Sequence, residues 1–443
     1  MKRITVIAAL AAALILTACT NTPGSGIARP DTAASAATDS ASSHITEKET
    51  DGERTTVTGT DPVTEAPLPV TEKPEIKGVA VIGPGDAIVY GKCEEDCRLS
   101  VTAGDDTYDA VSDGVYFAVP EKHERSVTVS VRATAAGKTV SEAAETLVKY
   151  DKRAEDNGVT VTLGSRVIET RVLPDLYGTN KLDKTELRAL RRNAEKRVAK
   201  AAEAAGKKVD VIYIIVPDPM TVYPGEMTRE MEENTVERSA RMTQVVNALK
   251  EVEGVTVVDL TAAMTENRDK GKLYYKLDSH WTWLGAYYGY AEFMRAIGAE
   301  ARQLSDFEVR YKDIDDTDIN VYSGVGTGKM FERAPFLTPL FEPGAPYWRG
   351  REQTARIWSF ANEFFNGKVS RSEVSGAELG SALFLFDSYG FNIIPYLAEH
   401  YSSFVTQPVW RYSVDYSLVS EVKPDQIIEL LAERDLGELV SAS

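Results

Sequence analysis

The chain has 443 residues, with 50 Lys or Arg against 67 Asp or Glu, giving a formal net charge of −17. A surface this acidic repels phosphate backbones, which argues against nucleic acid as a partner. The length allows one large domain together with a small one.

Residues 1–18 are predicted to be a lipoprotein signal peptide. A charged start, Lys2 and Arg3, precedes an apolar stretch that is too short to span a bilayer as a mature helix. Residues 16–19 read Leu-Thr-Ala-Cys and resemble a bacterial lipobox. The resemblance implies cleavage before Cys19, lipidation of its sulfur and retention on the outer face of the cell membrane. An ordinary secretory signal is the alternative.

Residues 19–75 are rich in Thr, Ser, Ala, Pro and acidic residues, a composition typical of a disordered tether. Residues 76–150 contain short β-type runs separated by turn residues, which predict a small β-sandwich of immunoglobulin-like type. This domain is interpreted as a spacer or, less favoured, a glycan-binding module. Within it, Cys93 and Cys97 form an even pair outside the membrane and predict a local disulfide rather than a zinc site.

From residue 155 to 443 apolar strands alternate with helical runs. Strands are predicted over 209–216, 255–258 and 382–386, and helices over 184–205, 228–252, 283–297 and 391–400. Such alternation is typical of a mostly parallel sheet covered on both faces, with the site beyond the C-terminal ends of its strands. Residues 305–380 lack a regular pattern and are interpreted as a substrate-facing loop.

Asp278 and His280 precede a predicted helix for which Thr282 is the N-cap. Side chains two positions apart in extended chain point the same way, so the carboxylate can accept a hydrogen bond from one ring nitrogen and leave the other free to act. The alternative is a histidine paired with a loop carboxylate without catalysis.

Ser388 follows a buried strand and precedes a helix, in the turn Asp387-Ser388-Tyr389-Gly390. Backbone N–H groups at a helix N-terminus favour a developing oxyanion, so this is a position for a nucleophile. A helix-capping serine is the alternative. Together with Asp278 and His280, Ser388 suggests a Ser-His-Asp acyl-transfer site.

The blocks Asp-Ser-His-Trp-Thr at 278–282 and Phe-Asp-Ser-Tyr at 386–389 resemble the DHHW family and the related extracytoplasmic alginate O-acetyltransferases. The segments 216–224, 404–411 and 424–428 resemble further blocks of these proteins, the last two their C-terminal strand and helix. The likeness extends over about 155–440 and implies an SGNH-hydrolase-like three-layer α/β domain.

Carried over to this sequence, the resemblance makes Ser388 the nucleophile, His280 the general base and Asp278 the residue that orients it, with no metal and no cofactor. Candidates for substrate or oxyanion contacts are Arg411, which resembles an arginine near the site of relatives, and Tyr389 and Trp281.

The sequence departs from the family pattern at two positions. Ser279 stands at the second position of the usual Asp-His-His-Trp, and Phe386 stands where a small residue usually precedes Asp-Ser. Further oxyanion donors could come from Asn320, Gly324 or Asn392, among which no spacing argument chooses.

These roles predict an acyl-serine mechanism in which a sugar hydroxyl or water takes the acyl group. The favoured hypothesis is O-acetylation of a cell-surface or exopolysaccharide glycan, with a membrane-bound protein delivering the acyl group because the sequence offers no membrane span. An esterase using water is the second hypothesis. The third is a non-catalytic surface lipoprotein that binds glycan or protein, which the departure at Phe386 favours.

Overall fold

The computed structural model describes most of the chain after residue 66, and the described residues lie in the compact unit Ala66–Ser443. The described ranges are 67–83, 85–112, 114–118, 125–150, 156–164, 166–315, 317–319, 330–348, 367–409 and 413–441. The predicted signal peptide, Cys19, nearly all of the tether, Arg411, Asn320 and Gly324 lie outside them.

The first seven strands form two antiparallel sheets. They are β1 Glu75–Gly83, β2 Asp86–Lys92, β3 Cys97–Ala103, β4 Asp106–Ser112, β5 Val115–Ala118, β6 Val127–Thr134 and β7 Ala144–Val148. One sheet has the order β1-β2-β5 and the other β4-β3-β6-β7. Val89 of the first sheet and Leu99 and Val131 of the second belong to one buried cluster, so the sheets share a core. The immunoglobulin-like topology and the domain boundaries stay predictions.

The disulfide predicted between Cys93 and Cys97 is not formed in the structure. The two Sγ atoms lie 3.1 Å apart, well beyond the about 2.05 Å of a disulfide bond. Cys93 Sγ instead also contacts the hydroxyl of Ser112 at 3.1 Å, and Cys97 is buried at the start of β3. The pair is therefore a contact between two thiols.

The rest of the described chain alternates strands and helices. Its strands are β8 Val159–Val161, β9 Val167–Glu169, β10 Asp210–Val216, β11 Val255–Asp259, β12 Phe307–Ile314, β13 Glu332–Pro339, β14 Ser370–Glu373, β15 Leu379–Phe386, β16 Tyr401–Pro408 and β17 Gln426–Ala432. Its α-helices include α1 Leu173–Tyr177, α2 Lys184–Ala205, α3 Pro219–Val222, α4 Arg229–Asn234, α5 Ala240–Lys250, α6 Thr261–Asn267, α7 Trp283–Ala296, α8 Gly390–Ala398 and α9 Tyr416–Val422.

A six-stranded mixed sheet organises this part, in the order β11-β10-β17-β15-β16-β14. Five strands are parallel, and only the edge strand β14 is antiparallel to its neighbour. Alternate residues of the central strands belong to two different hydrophobic cores. Ile214 and Phe384 pack in the core with α7 and α8. Tyr213 and Leu385 pack in the core with α2 and α5. The period of two in a strand thus produces the three-layer arrangement.

Three sequence predictions about these elements are wrong. Residues 305–380, interpreted as an irregular loop, contain the strands β12, β13 and β14. The helix predicted over 228–252 is interrupted, because Ser239 between α4 and α5 takes a left-handed conformation with φ of 54°. The segment 424–428, expected to resemble a C-terminal helix, leads into β17, which lies between β10 and β15. Residues 427–431, which are apolar except for Glu429, are buried, with Ile428 and Leu430 in the core on one face of the sheet and Ile427 and Leu431 in the core on the other. Burial on both faces favours a strand of a parallel sheet.

Among the described residues no helix combines the length and the apolar character that crossing a bilayer requires.

Candidate active site

The predicted base, His280, lies in a closed loop between α6 and α7, residues 273–282, here called the base loop. Backbone hydrogen bonds from Tyr275 N–H to the His280 carbonyl (3.2 Å) and from Thr282 N–H to the Leu273 carbonyl (2.8 Å) close this loop. The Thr282 hydroxyl accepts from the N–H of Gly285 at 3.2 Å, which confirms the predicted N-cap of α7. The loop therefore enters the helix in one fixed direction.

Asp278 and His280 face each other inside this loop. Asp278 Oδ1 accepts from the backbone N–H of His280 (3.1 Å) and lies 2.7 Å from its Nδ1. The two side chains are almost fully buried. The carboxylate thus orients the ring and leaves Nε2 pointing out of the loop.

Ser388 lies in the turn between β15 and α8, at the C-terminal edge of the parallel sheet. Its Oγ is 2.7 Å from His280 Nε2, although 108 residues separate the two in the chain. Asp387 fixes the turn: Oδ1 accepts from the N–H of Tyr389 (2.9 Å), and Oδ2 from the N–H of Ala432 at the end of β17 (2.7 Å). The three predicted residues form a continuous hydrogen-bonded path from Asp278 to Ser388.

Phe386 is accommodated immediately before this turn. Its side chain is buried and lies against Gly390, where an added Cβ would approach Phe386 Cδ2 to 2.2 Å. Phe391 meets the same ring edge-on at a centroid distance of 5.2 Å. The large residue that departs from the family pattern therefore fits because Gly390 has no side chain.

Hydrogen bonds join the base loop directly to the serine turn. Tyr389 donates its hydroxyl to the Ser279 carbonyl (2.6 Å), Trp281 Nε1 donates to the Tyr389 carbonyl (2.9 Å), and Asn392 Nδ2 donates to the Trp281 carbonyl (3.1 Å). The side chains of Trp281 and Tyr389, which the sequence offers as candidates for substrate or oxyanion contacts, are almost fully buried. Their polar atoms instead hold the two loops together.

Three buried charged residues near the site were not found from the sequence. Asp318 accepts from the N–H of Ser279 at 2.9 Å, and its own N–H donates to Asp278 Oδ2 at 3.1 Å. Arg434 Nη1 contacts the Tyr389 hydroxyl (3.0 Å), the Ser279 carbonyl (3.2 Å) and Asp218 Oδ1 (3.1 Å). Recognising β17 as a strand would have pointed to Arg434, because the C-terminal ends of parallel strands share an edge. Asp318 lies within residues 305–380, whose sequence carries no such signal.

Burial dominates the electrostatics of the site. It lowers the pKa of His280 to about 4, so the ring is neutral at neutral pH and can accept a proton. Burial also raises the pKa of Asp278 to about 7, whereas the N–H groups of Asp318 and His280 stabilise its ionised form and oppose that shift. The same effect of burial, with the nearby Asp278, raises the pKa of Asp318 to about 8.

Some backbone N–H groups of the serine turn, residues 387–390, already donate hydrogen bonds within the protein. The N–H of Tyr389 donates to Asp387 Oδ1 and that of Gly390 to the Asp387 carbonyl at 3.0 Å. The N–H of Ser388 has no acceptor among the described residues. Of the side chains suggested from the sequence, Asn392 is committed to the Trp281 carbonyl.

Within the described ranges, one group of side chains has the spacing to hold a metal ion. The ligand atoms of Asp278, His280 and Asp318 lie within 4.8 Å of one another. These atoms also form the hydrogen bonds that orient the ring toward Ser388.

The small β region packs directly against the base loop. Ile82 and Ile88 of β1 and β2 share a buried cluster with Leu277 and Ile319, the neighbours of Asp278 and Asp318 in the chain. Glu332 at the start of β13 also accepts from the N–H of Leu277 at 2.8 Å. This packing supports the loop at the residue next to Asp278.

Part of the chain matches a known protein family. Residues 176–324 match the family model described as ALGX, the SGNH hydrolase-like domain of acetyltransferase AlgX. This segment contains Asp278, His280 and Asp318 and ends before Ser388. No functionally curated protein matches the sequence at a significant level.

Solved structures with a similar fold include a DHHW family protein from Eubacterium siraeum, at 13% identity and a TM-score of 0.44, covering 70% of this chain and 94% of that one. Bacillus cereus PatB1 with a sulfonyl adduct matches at 13% identity and a TM-score of 0.47, covering 64% and 98%. The acetyltransferase domain of Pseudomonas putida AlgJ matches at 11% identity and a TM-score of 0.36, covering 63% and 92%. The predicted resemblance to the DHHW and alginate acetyltransferase proteins is confirmed. Residues 176–324 match an SGNH hydrolase-like domain, and the six-stranded sheet of the α/β part is mixed.

Proposed function

We propose that this protein is a serine acyltransferase that O-acetylates a cell-surface or exopolysaccharide glycan. The observation that carries the proposal is the path from Asp278 Oδ1 to His280 Nδ1 (2.7 Å) and from His280 Nε2 to Ser388 Oγ (2.7 Å). Both distances suit hydrogen bonds of a base with its orienting group and its nucleophile. The match to an acetyltransferase domain supports acyl transfer at the level of the family.

The proposed reaction has two halves. In the first, His280 Nε2 takes the Ser388 proton while Oγ attacks the acyl carbonyl, and the bond to the donor's leaving oxygen or sulfur breaks as Nε2 returns the proton to it. In the second, a sugar hydroxyl loses its proton to Nε2 and attacks the acyl-serine, and Oγ recovers the proton. The hydrogen on His280 Nδ1 stays on the ring throughout, donated to Asp278 Oδ1. The N–H of Ser388 is the proposed oxyanion donor because it has no other acceptor among the described residues.

Turnover of a small acetyl ester tests the catalytic part. Wild type should release the leaving group and accumulate one acetyl group on Ser388, detected by mass spectrometry of the intact protein. Ser388→Ala should lose turnover to the background rate, and Ser402→Ala, an exposed serine on β16, is the matched control. Equal inactivity of wild type and Ser388→Ala would favour a non-catalytic binding protein, although Phe386, the feature that suggested one, fits against Gly390.

Adding an oligosaccharide acceptor distinguishes transfer from hydrolysis. Acetyl ester formed on the sugar supports the transferase, and acetate release that is unchanged by the acceptor supports an esterase. Delivery of the acyl group by a membrane-bound protein belongs to the same proposal.

The proposed location is the outer face of the cell membrane, held by a lipid on Cys19. Detergent phase partitioning of wild type and Cys19→Ala expressed in bacteria tests this part separately. Wild type should enter the detergent phase and the variant the aqueous phase. Equal partitioning of the two would refute the anchor and leave the catalytic proposal intact.

A further inference from the structure

Asp318 is a second buried carboxylate beside the proposed base. Its Oδ1 accepts from the N–H of Ser279 (2.9 Å), its Oδ2 accepts from the Ser279 hydroxyl, and its backbone N–H donates to Asp278 Oδ2 (3.1 Å). Asp318 therefore holds both residues that precede His280 in the chain. Its side chain is almost fully buried, so these contacts are shielded from solvent.

The carboxylates of Asp278 and Asp318 lie at different distances from the same ring nitrogen of His280. His280 Nδ1 lies 2.7 Å from Asp278 Oδ1 and 3.6 Å from Asp318 Oδ2. A ring nitrogen carries a single hydrogen, and the shorter contact assigns it to Asp278. Asp318 is left close enough to act on the ring through its charge, without accepting that hydrogen.

Ser279 connects Asp318 to the ring. Its Oγ lies 3.3 Å from His280 Nδ1 and donates to Asp318 Oδ2. This serine stands where the Asp-His-His-Trp pattern has the first of its two histidines. The departure from the pattern thus creates a small hydroxyl that a carboxylate from a distant segment can bind.

Resting on the proposed function, we propose that Asp318 is a positioning residue for the reaction: it holds Asp278 and Ser279 in place, and its negative charge stabilises the imidazolium formed when His280 takes the Ser388 proton. The proton moves from Oγ to Nε2, and the resulting positive charge spreads over the ring toward both carboxylates. In the same step Oγ bonds to the acyl carbonyl carbon, and the carbonyl oxygen takes the negative charge.

The charge of Asp318 depends on pH. Burial, with the neighbouring Asp278, raises the pKa of Asp318 to about 8, so the carboxylate becomes ionised as the pH rises through that value. The other charged groups that act on His280 are Glu169, which favours the imidazolium, and Arg434 and Arg171, which disfavour it. A permanently neutral side chain at 318 should therefore differ most from wild type at high pH.

Asp318→Asn tests the charge, because the amide oxygen can still accept from the Ser279 N–H and the amide nitrogen can contact its hydroxyl. An opposite charge within about 4–6 Å shifts a pKa by about 1–3 units, so the kcat of the variant should be on the order of tenfold lower above about pH 8. The deficit should shrink as the pH falls below the pKa of Asp318. Asp313→Asn, which removes an exposed carboxylate from β12, is the matched control and should follow the wild-type profile.

A second variant separates the charge from the hydrogen bond. Ser279→Ala removes the hydroxyl between Asp318 and the ring but keeps the carboxylate and the backbone contact. It should retain the rise of kcat with pH that Asp318→Asn loses. If both variants lose that rise equally, the charge is not the cause and the inference is overturned.

A constant ratio of wild-type to Asp318→Asn kcat across the pH range would also overturn the inference, because a merely structural role lowers activity uniformly. If Asp318→Asn folds poorly, the rate at which a sulfonyl fluoride sulfonylates Ser388 in the wild type, with loss of fluoride, decides the question. A rise centred near pH 8 supports the inference, whereas a flat rate, or a rise centred near pH 7 where Asp278 ionises, opposes it. Inactivity of the wild type toward every ester would instead refute the proposed function.

Discussion

The close contact between Phe386 and Gly390 predicts that a side chain at position 390 destabilises the fold. An alanine Cβ at position 390 would lie 2.2 Å from Phe386 Cδ2, 2.4 Å from Cγ and 2.5 Å from Cβ. These distances are far below van der Waals contact, so the ring or the turn must move. Overpacking of this kind costs about 1–3 kcal/mol. Gly390→Ala should therefore destabilise the fold and, since Ser388 is two residues away, lower kcat.

Phe386→Ala provides the compensating change. Alone it should cost about 3–5 kcal/mol, because it removes a fully buried ring and leaves a cavity. In the double variant the ring atoms are gone, but the Cβ at position 386 remains 2.5 Å from the Cβ added at position 390, so the clash is only partly relieved. The double variant should consequently be somewhat less stable than Phe386→Ala alone, with a coupling energy of about 1 kcal/mol between the two sites.

Urea unfolding of wild type, both single variants and the double variant measures this coupling. Gly225→Ala is the control, because no atom lies within 4 Å of its added Cβ. Costs that add to within about 0.5 kcal/mol would show that Phe386 and Gly390 do not interact. Wild-type stability of Gly390→Ala would refute the steric reasoning, and with it the explanation of how a large residue is tolerated before the serine turn.

Three further predictions concern the site and its support. Tyr389→Phe removes the hydroxyl that joins the two loops and should cost about 1–3 kcal/mol in urea unfolding, with a lower kcat. Burial lowers the pKa of His280 to about 4, so the ring, followed by the NMR shifts of its carbons, should stay neutral as the pH falls from neutral and take up a proton only near that value. Ile88→Ala should cost about 2–5 kcal/mol and also lower kcat, since Ile88 packs in the cluster behind the base loop.

Each of these has a result that would contradict it. Tyr396→Phe also loses a buried hydroxyl, whose partner is the Trp283 carbonyl, and an equal fall in kcat there would deny Tyr389 a special role. A titration midpoint of the His280 ring near 6.5 would mean that burial does not lower its pKa. Leu99→Ala empties a different buried cluster of the β region, so an equal loss of kcat would show only general destabilisation.

Local patterns predicted much of the α/β part. Helix α2 begins and ends where its composition and Gly206 indicate, and α7 starts at the predicted cap Thr282. The sequence pattern is less informative around β17, where it predicts a helix over a short run that is apolar except for Glu429. Such a run suits a helix or a strand equally, and only its position between β10 and β15 determines which one forms.

The sequence also identified the three residues that meet at the proposed site. Asp278 and His280 are two positions apart, a local relation that the backbone preserves, and Ser388 follows a strand that is apolar throughout. Where the sequence suggested a substrate role for Trp281 and Tyr389, the structure buries both side chains, because the loops they join lie face to face.

By itself, then, the sequence determined the elements whose signals are local: the capped helices, the apolar strands and the order of the proposed catalytic residues. Only the tertiary structure decided the 2.7 Å approach of His280 to Ser388, the approach of Asp318 to the base loop and the fit of Phe386 over Gly390. Each of these depends on contacts between residues that the sheet and its loops bring together. Sequence periodicity carries no information about such distances.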